Sequence, residues 1–183
     1  MVGDVYSYTA TFDTGFAPHV SKGLLSLACC KPRIRQKIKV GDFLVAFYGV
    51  SQPRKKFAYA LMYVARVTEV LTLKEYAASH TGRVDCVYDE NLQQLKNPFH
   101  GSKHVKRDLS GVNVALSVDF VFFGDKNVRI AQKYECMIKK GPGHKVREND
   151  KLRAQFPAVF RALKEEWGEG VLGKHLHMRR RRV

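Results

Sequence analysis

The chain has little of what would mark a membrane, secreted or metal-clustered protein. In 183 residues no apolar stretch reaches the ~20 residues a bilayer-spanning helix needs. The most apolar run, Val40 to Tyr48, is interrupted by Asp42. Met1–Tyr8 has no basic start, apolar centre or small-residue cleavage site, so a secretory signal is not expected there. Cysteine is sparse: Cys29 and Cys30 are adjacent, Cys86 and Cys136 isolated. That spacing gives neither a disulfide framework nor the paired Cys-x-x-Cys of a structural zinc site, and it suits a reducing intracellular compartment, cytoplasm or nucleus. Acidic residues are also scarce, 17 against 32 Lys and Arg, which leaves a formal charge of +15. Such a surplus favours a polyanionic partner, nucleic acid ahead of an anionic membrane face.

Catalytic signatures are missing as well. There is no Gly-x-Ser-x-Gly, no phosphate loop of the Gly-x-x-x-x-Gly-Lys-Ser/Thr type and no paired-carboxylate motif. His100 and His104 are four apart, but Gly101 opposes the helix that would aim both at one metal. Neither metal nor cofactor is expected.

What is present is 45% apolar residues, enough to build one core. Residues 5–12 alternate at period two and predict a first strand, followed by a loop at Asp13–His19 where Gly15 and Pro18 interrupt regular structure. Leu24, Leu27, Ala28, Ile34 and Ile38 recur near helical spacing, and Pro32 suits a first helical position, so a short helix is expected over about 32–38. Phe43–Tyr48 reads as a buried strand, paired as a hairpin with the alternating run Phe57–Val70. Thr72 and Glu75 suggest a capping box opening a helix over Leu73–Ser79. Residues 80–111 lack a period and predict a long loop. Strands are expected within 112–124, and an amphipathic helix from about Glu148 to Trp167, broken or kinked near Phe156 by Pro157. The expectation is an α+β fold, a small curled sheet or open β-barrel with short helices and a C-terminal helix. Residues 1–170 form one domain and 171–183 a basic disordered tail ending in Arg179–Arg182.

Two segments could carry binding chemistry. Lys31, Arg33, Arg35, Lys37 and Lys39 place alternating cations around a short helix, where Arg offers a bidentate fork to phosphate. The competing reading is a solvated cationic face. Tyr6, Tyr8, Phe12, Phe16, Phe47 and Tyr48 are near enough in sequence to stack a base, or to pack the core. Gly141-Pro142-Gly143-His144-Lys145 is the second, a glycine turn read as leading into the terminal helix with His144 and Lys145 at its lip. Cys30, among basic neighbours expected to lower its thiol pKa, is a conceivable nucleophile.

The order Tyr8, Phe12-Asp13-Thr14-Gly15-Phe16-Ala17-Pro18, Leu27 to Arg35 and Val40-Gly41-Asp42-Phe43 resembles the second of the nucleotide-modification-associated domain families. The likeness continues through Tyr59–Val64, Val67–Glu69, Leu73–Tyr76, Leu116–Gly124 and Gly141–Lys145. The chain departs from the pattern at His19, at Val146 and in a shorter middle segment. The resemblance implies a nucleic-acid context without a fixed reaction, and it adds Ser117 to the candidate positions. A weaker, fold-level likeness is to the pseudouridine-synthase-and-archaeosine-like (PUA-like) barrels.

Together these readings predict a nucleic-acid or nucleotide binding domain that reads a modified base. Lys31, Arg33 and Arg35 would hold phosphate, Phe16 and Tyr48 would line the pocket, His144 and Lys145 would close it, and Ser117 is counted among the nucleic-acid-binding positions. Arg179 and Arg180 would add sequence-independent affinity. The alternatives are an enzyme acting on nucleotides through His144 with Cys30 or Lys31, and a structural ribonucleoprotein subunit.

Overall fold

The computed structural model describes residues 3–50, 58–97, 100–101, 105–140, 144–147 and 150–176, with the backbone alone at 133, 144–147 and 150–152. The fold is α+β, built on two sheets that do not close into a barrel. The first sheet is seeded by β1 (Val5–Ala10), β4 (Phe43–Tyr48) and β5 (Leu61–Arg66), whose aromatic and β-branched residues suit a pleated surface buried on both faces. With β8 (Asp119–Phe122), β9 (His144–Arg147) and β10 (Gly170–Val171) it has the order β10-β8-β5-β4-β1-β9. β1 runs parallel to β4, in register Tyr8 to Ala46, and β4 and β5 form the expected antiparallel hairpin. The second sheet, in order β2-β3-β7-β6, comprises β2 (His19–Ser21), β3 (Leu24–Leu27), β6 (Glu69–Thr72) and β7 (Asn113–Ser117).

Burial of alternate faces sets the layers. Tyr8, Leu44, Tyr48, Tyr63 and Phe122 of the first sheet meet Leu25 and Leu27 of the second, closing a core between them. The opposite face of the first sheet, through Phe43, Val45, Val64 and Val121, takes α4 (Asp150–Trp167) on Phe156, Val159 and Phe160. The outer face of the second sheet is covered by α2 (Leu73–Ser79) and the chain around Val87 and Tyr88. α2 starts on the expected capping box, Thr72 Oγ1 accepting from Glu75 N–H and the Glu75 carboxylate from Thr72 N–H.

Several expectations change. Leu24–Leu27 is strand, not helix: its leucines repeat at three, but hydrogen bonds to β2 and β7 decide the backbone. The helix expected over 32–38 is a single turn, α1 (Pro32–Arg35), with Pro32 in its first turn. The long loop contains α3 (Val105–Leu109), packed against α1. α4 is continuous through Pro157, because Phe156, Val159 and Phe160 are buried on either side of it. His144–Arg147 does not lead directly into α4. It is a strand, antiparallel to β1 and in register Tyr8 to His144 and Ser7 to Lys145. Residues 141–143 lie outside the described ones. Within residues 171–176, β10 pairs with β8, Leu172 N–H donates to the Phe122 carbonyl (2.9 Å), and Lys174 N–H donates to Asp125 (3.0 Å). Arg179–Arg182 lie outside the described residues.

Candidate functional site

The chain between β3 and α1 is bent sharply: Cys30 and Lys31 both adopt left-handed backbone conformations, at φ 59° and 46°. Non-glycine residues are held there only when their surroundings over-determine them. Here Cys30 N–H donates to Asp108 Oδ1 (2.6 Å), and the guanidinium of Arg35 reaches back to the carbonyls of Ala28 and Cys30. The bend turns Lys31 across the first sheet. Its ammonium lies 4.5 Å from the centroid of the Tyr8 ring and 3.4 Å from the Thr9 carbonyl.

Beside this bend opens a cleft of about 620 Å³. Lys31 and Arg33 of the α1 segment, Arg107 of α3, Tyr8 of β1, Phe12 just after it, and Cys30 line it. None of its described lining residues is acidic. The cleft sits within the volume range of small-molecule sites. A larger cleft, about 740 Å³, lies between α4 and the first sheet, but its lining mixes both signs: Asp119, Glu165 and Glu169 stand with Arg66, Arg161 and Lys164, and Lys164 pairs with Asp119 (2.7 Å) and Glu169 (2.9 Å).

Burial decides how the cleft's ionisable groups behave. Removal from water pushes Lys31 below its ordinary pKa; Arg107 pushes the same way and Cys30 opposes. Cys30 is exposed as a residue, yet its thiol is raised, first by desolvation and then by the Asp108 carboxylate, which together outweigh Lys31, Arg35 and Arg107. The expectation that basic neighbours would lower this thiol is therefore reversed.

The other expected site residues divide. Lys31 and Arg33 come together in the cleft, joined by Arg107, which sequence reasoning passed over as part of an aperiodic loop. Arg35 does not project outward. It is 0% exposed, paired with Asp108 Oδ1 at 3.1 Å, and its guanidinium is further spent on the carbonyls of Ala28, Cys30, Asp108 and Asn113. Successive helical residues turn by about 100°, so positions 33 and 35 stand on opposite sides of α1. Tyr48 is buried and donates to Asp13 Oδ2 (2.6 Å). Phe16 is buried on the far side of the second sheet against His100, with ring centroids 5.9 Å apart. Ser117 is buried between the Arg66 and Asp119 carbonyls (2.7 and 2.8 Å) and accepts from Asp119 N–H (3.1 Å). All four are buried. The β9 backbone brings His144 into register with Tyr8, whose ring lines the cleft.

Sequence reasoning also missed three buried carboxylates. Asp13 gathers Tyr48, His175 and the Leu176 N–H; Asp85 gathers Ser26, Tyr76 and Arg83; Asp108 gathers Arg35, Cys30 N–H, Tyr88 and His100. Cys29, His100 and Asp108 offer ligand atoms within 4.8 Å of one another. They do not suit a metal ion. Gln94 Nε2 donates to both His100 Nδ1 and the His100 carbonyl, which leaves the ring proton on Nε2, facing Asp108, and Arg35 already neutralises that carboxylate. Among the described residues no helix is long and apolar enough to cross a membrane.

No curated protein and no solved structure matches the chain. The model of nucleotide modification associated domain 2 matches residues 2–85 and 79–178, which takes in both sheets, the cationic cleft and the Asp13–His175 contact, so the chain belongs to that family.

Proposed function

We propose that this domain binds nucleic acid or a nucleotide in the cleft beside α1, with Lys31, Arg33 and Arg107 taking the phosphate. The observation that carries this reading is the convergence of three cations from two separate helical turns on a cleft whose described lining holds no carboxylate. Arg33 and Arg107 are exposed and carry forked donors suited to phosphate oxygens, while Lys31 is half-buried and fixed over Tyr8. Membership of a nucleotide-modification family supports a ligand of this class and is consistent with a modified base. His144 and Lys145, on the strand next to Tyr8, stand at the same edge. The arginine tail would supply additional affinity that does not depend on sequence.

Titration of labelled oligonucleotides by fluorescence anisotropy across a salt series tests this. Arg33→Ala and Arg107→Ala should each weaken binding across all sequences and reduce the slope of log affinity against log salt by about one. Absence of binding at low salt, or slopes unchanged in both variants, would overturn the reading.

A further inference from the structure

We infer that Phe12 is a base-stacking platform, and that the cleft takes an unstacked nucleotide of a single strand in preference to intact duplex. This deepens the proposed function and rests on it.

Six aromatic residues lie close to the basic segment in sequence, and the structure separates them by burial. Tyr6, Phe16, Phe47 and Tyr48 are inside the protein. Tyr8 is buried too: its hydroxyl is joined to that of Tyr63 at 2.9 Å and its ring is covered by the Lys31 ammonium. The core closes the first four to a base, and Lys31 covers the Tyr8 ring where it edges the cleft. Phe12 alone of the six lies at the surface, 70% exposed, and it lines the same cleft as Lys31, Arg33 and Arg107.

An exposed phenylalanine is unremarkable by itself. What distinguishes this one is the rigidity of the backbone that presents it. Gly49 N–H donates to the Ala10 carbonyl (2.9 Å), tying down the residues before it. Asp13, the residue after it, is locked by Tyr48 (2.6 Å), His175 (2.5 Å) and Leu176 N–H (3.0 Å). A ring held on fixed backbone loses little conformational freedom when a flat ligand lies on it. The exposed neighbours Arg33 and Arg107 then lie where the strand's phosphates would be met.

Stacking discriminates between nucleic-acid forms by geometry. Inside a duplex both faces of each base are already covered, so a protein ring can reach one only at an end or after the base has swung out. A single strand offers its bases at much lower cost, and stacking on an aromatic ring tolerates any base because every base has a π-face. The cleft volume of about 620 Å³ also suits one nucleotide better than a double helix.

The test uses the full chain and three probes of equal length compared at matched phosphate concentration: a single-stranded oligonucleotide, its duplex, and an abasic strand that keeps the sugar-phosphate backbone without bases. Wild-type protein should bind the base-bearing single strand most tightly. Phe12→Ala should weaken that binding about tenfold, Phe12→Trp should retain it, and neither should change affinity for the abasic strand. Because Phe12 is mostly exposed, Phe12→Ala should melt at the wild-type temperature, which separates lost stacking from lost folding. If wild type binds abasic and base-bearing strands equally, or Phe12→Ala binds like wild type, the stacking inference falls while the phosphate-binding reading stands. Duplex bound as tightly as single strand also overturns it. If no probe binds but an acidic peptide or anionic vesicle does, both readings fall together.

Discussion

Asp13 and His175, 162 residues apart, meet at 2.5 Å between Oδ1 and Nδ1. The contact fastens the far end of the described chain to the loop after β1. The second Asp13 oxygen accepts from Tyr48 and from Leu176 N–H, so a single buried carboxylate joins the first strand pair to the C-terminal segment. The His175 ring lies on Phe122 with centroids 4.5 Å apart and passes directly over Gly15, where an added Cβ would come within 3.2 Å of it. The cleft's exposed ring, Phe12, is the residue immediately before this anchor.

Burial alone would raise the Asp13 carboxyl, but the bonds from His175, Tyr48 and Leu176 N–H outweigh it and hold the group below its ordinary value. A carboxyl depressed in the folded state contributes stability that is present above its unfolded pKa and lost as pH falls through the folded one. Asp13→Asn should therefore cost about 2–4 kcal/mol at neutral pH, since it removes a buried charge from its partners. It should also flatten the acid limb of the melting temperature below about pH 5 relative to wild type. Parallel melting curves from pH 3 to 7 check this; identical acid limbs would count against it.

How far the site was legible depends on which interaction fixes each residue. Period-two alternation identified β1 and β5, a short apolar run between glycines identified β4, and the Thr72–Glu75 spacing identified α2, because these signals are local and the fold uses them unchanged. The order of the sheet was not legible: β9 adds beside β1, and β10 beside β8, across long separations. The basic segment was read as a short helix with all of its cations facing outward, which one helical turn does not allow. Alternating cations share a face on a strand, whereas on a helix Arg33 and Arg35 part company, one to solvent and one to the core. Arg107 was hidden because its significance comes only from α3 packing against α1. The buried carboxylates were invisible for the same reason, since their partners lie as far as 163 residues away.

Lys31 should give binding an alkaline limit. Its ammonium is held below the ordinary lysine pKa by burial, with Arg107 adding to the effect, so it loses its charge at lower pH than a surface lysine. Oligonucleotide affinity should fall as pH rises from 8 toward 10 in wild type and fall less in Lys31→Arg, whose guanidinium stays charged. Arg107→Ala should move the wild-type fall to higher pH. Anisotropy titrations at fixed ionic strength read all three, and superimposable pH profiles for wild type and Lys31→Arg would contradict the assignment.

Cys30 should be slow to alkylate despite its exposure. Its raised thiol pKa leaves less thiolate at neutral pH than a free cysteine has, and the thiolate is the reacting species. Iodoacetamide labelling at pH 7.5, followed by peptide mapping, should give Cys30 a rate below that of a free-cysteine peptide. A faster rate would favour the nucleophile reading.

Arg33 and Arg35 provide the sharpest contrast, because two arginines two residues apart carry different burdens. Arg35→Ala would strand the Asp108 carboxylate and leave the carbonyls of Ala28, Cys30 and Asn113 without their donor. Breaking a buried pair from one side costs about 3–5 kcal/mol, and the left-handed bend at Cys30 and Lys31 loses its support with it. Arg35→Lys should recover little, since a point charge cannot replace a planar fork that serves several carbonyls at once. Gly111→Ala should reproduce the defect from the opposite side: a Cβ there would overlap the Arg35 guanidinium, so the side chain must shift off its partners. Arg33→Ala, at an exposed position, should melt within about 0.5 kcal/mol of wild type while losing oligonucleotide affinity. Denaturant melts and binding titrations on the four variants therefore separate stability from recognition. If Arg35→Ala folded as stably as wild type, or Arg33→Ala proved the more destabilised, the division of roles between the two arginines would be wrong.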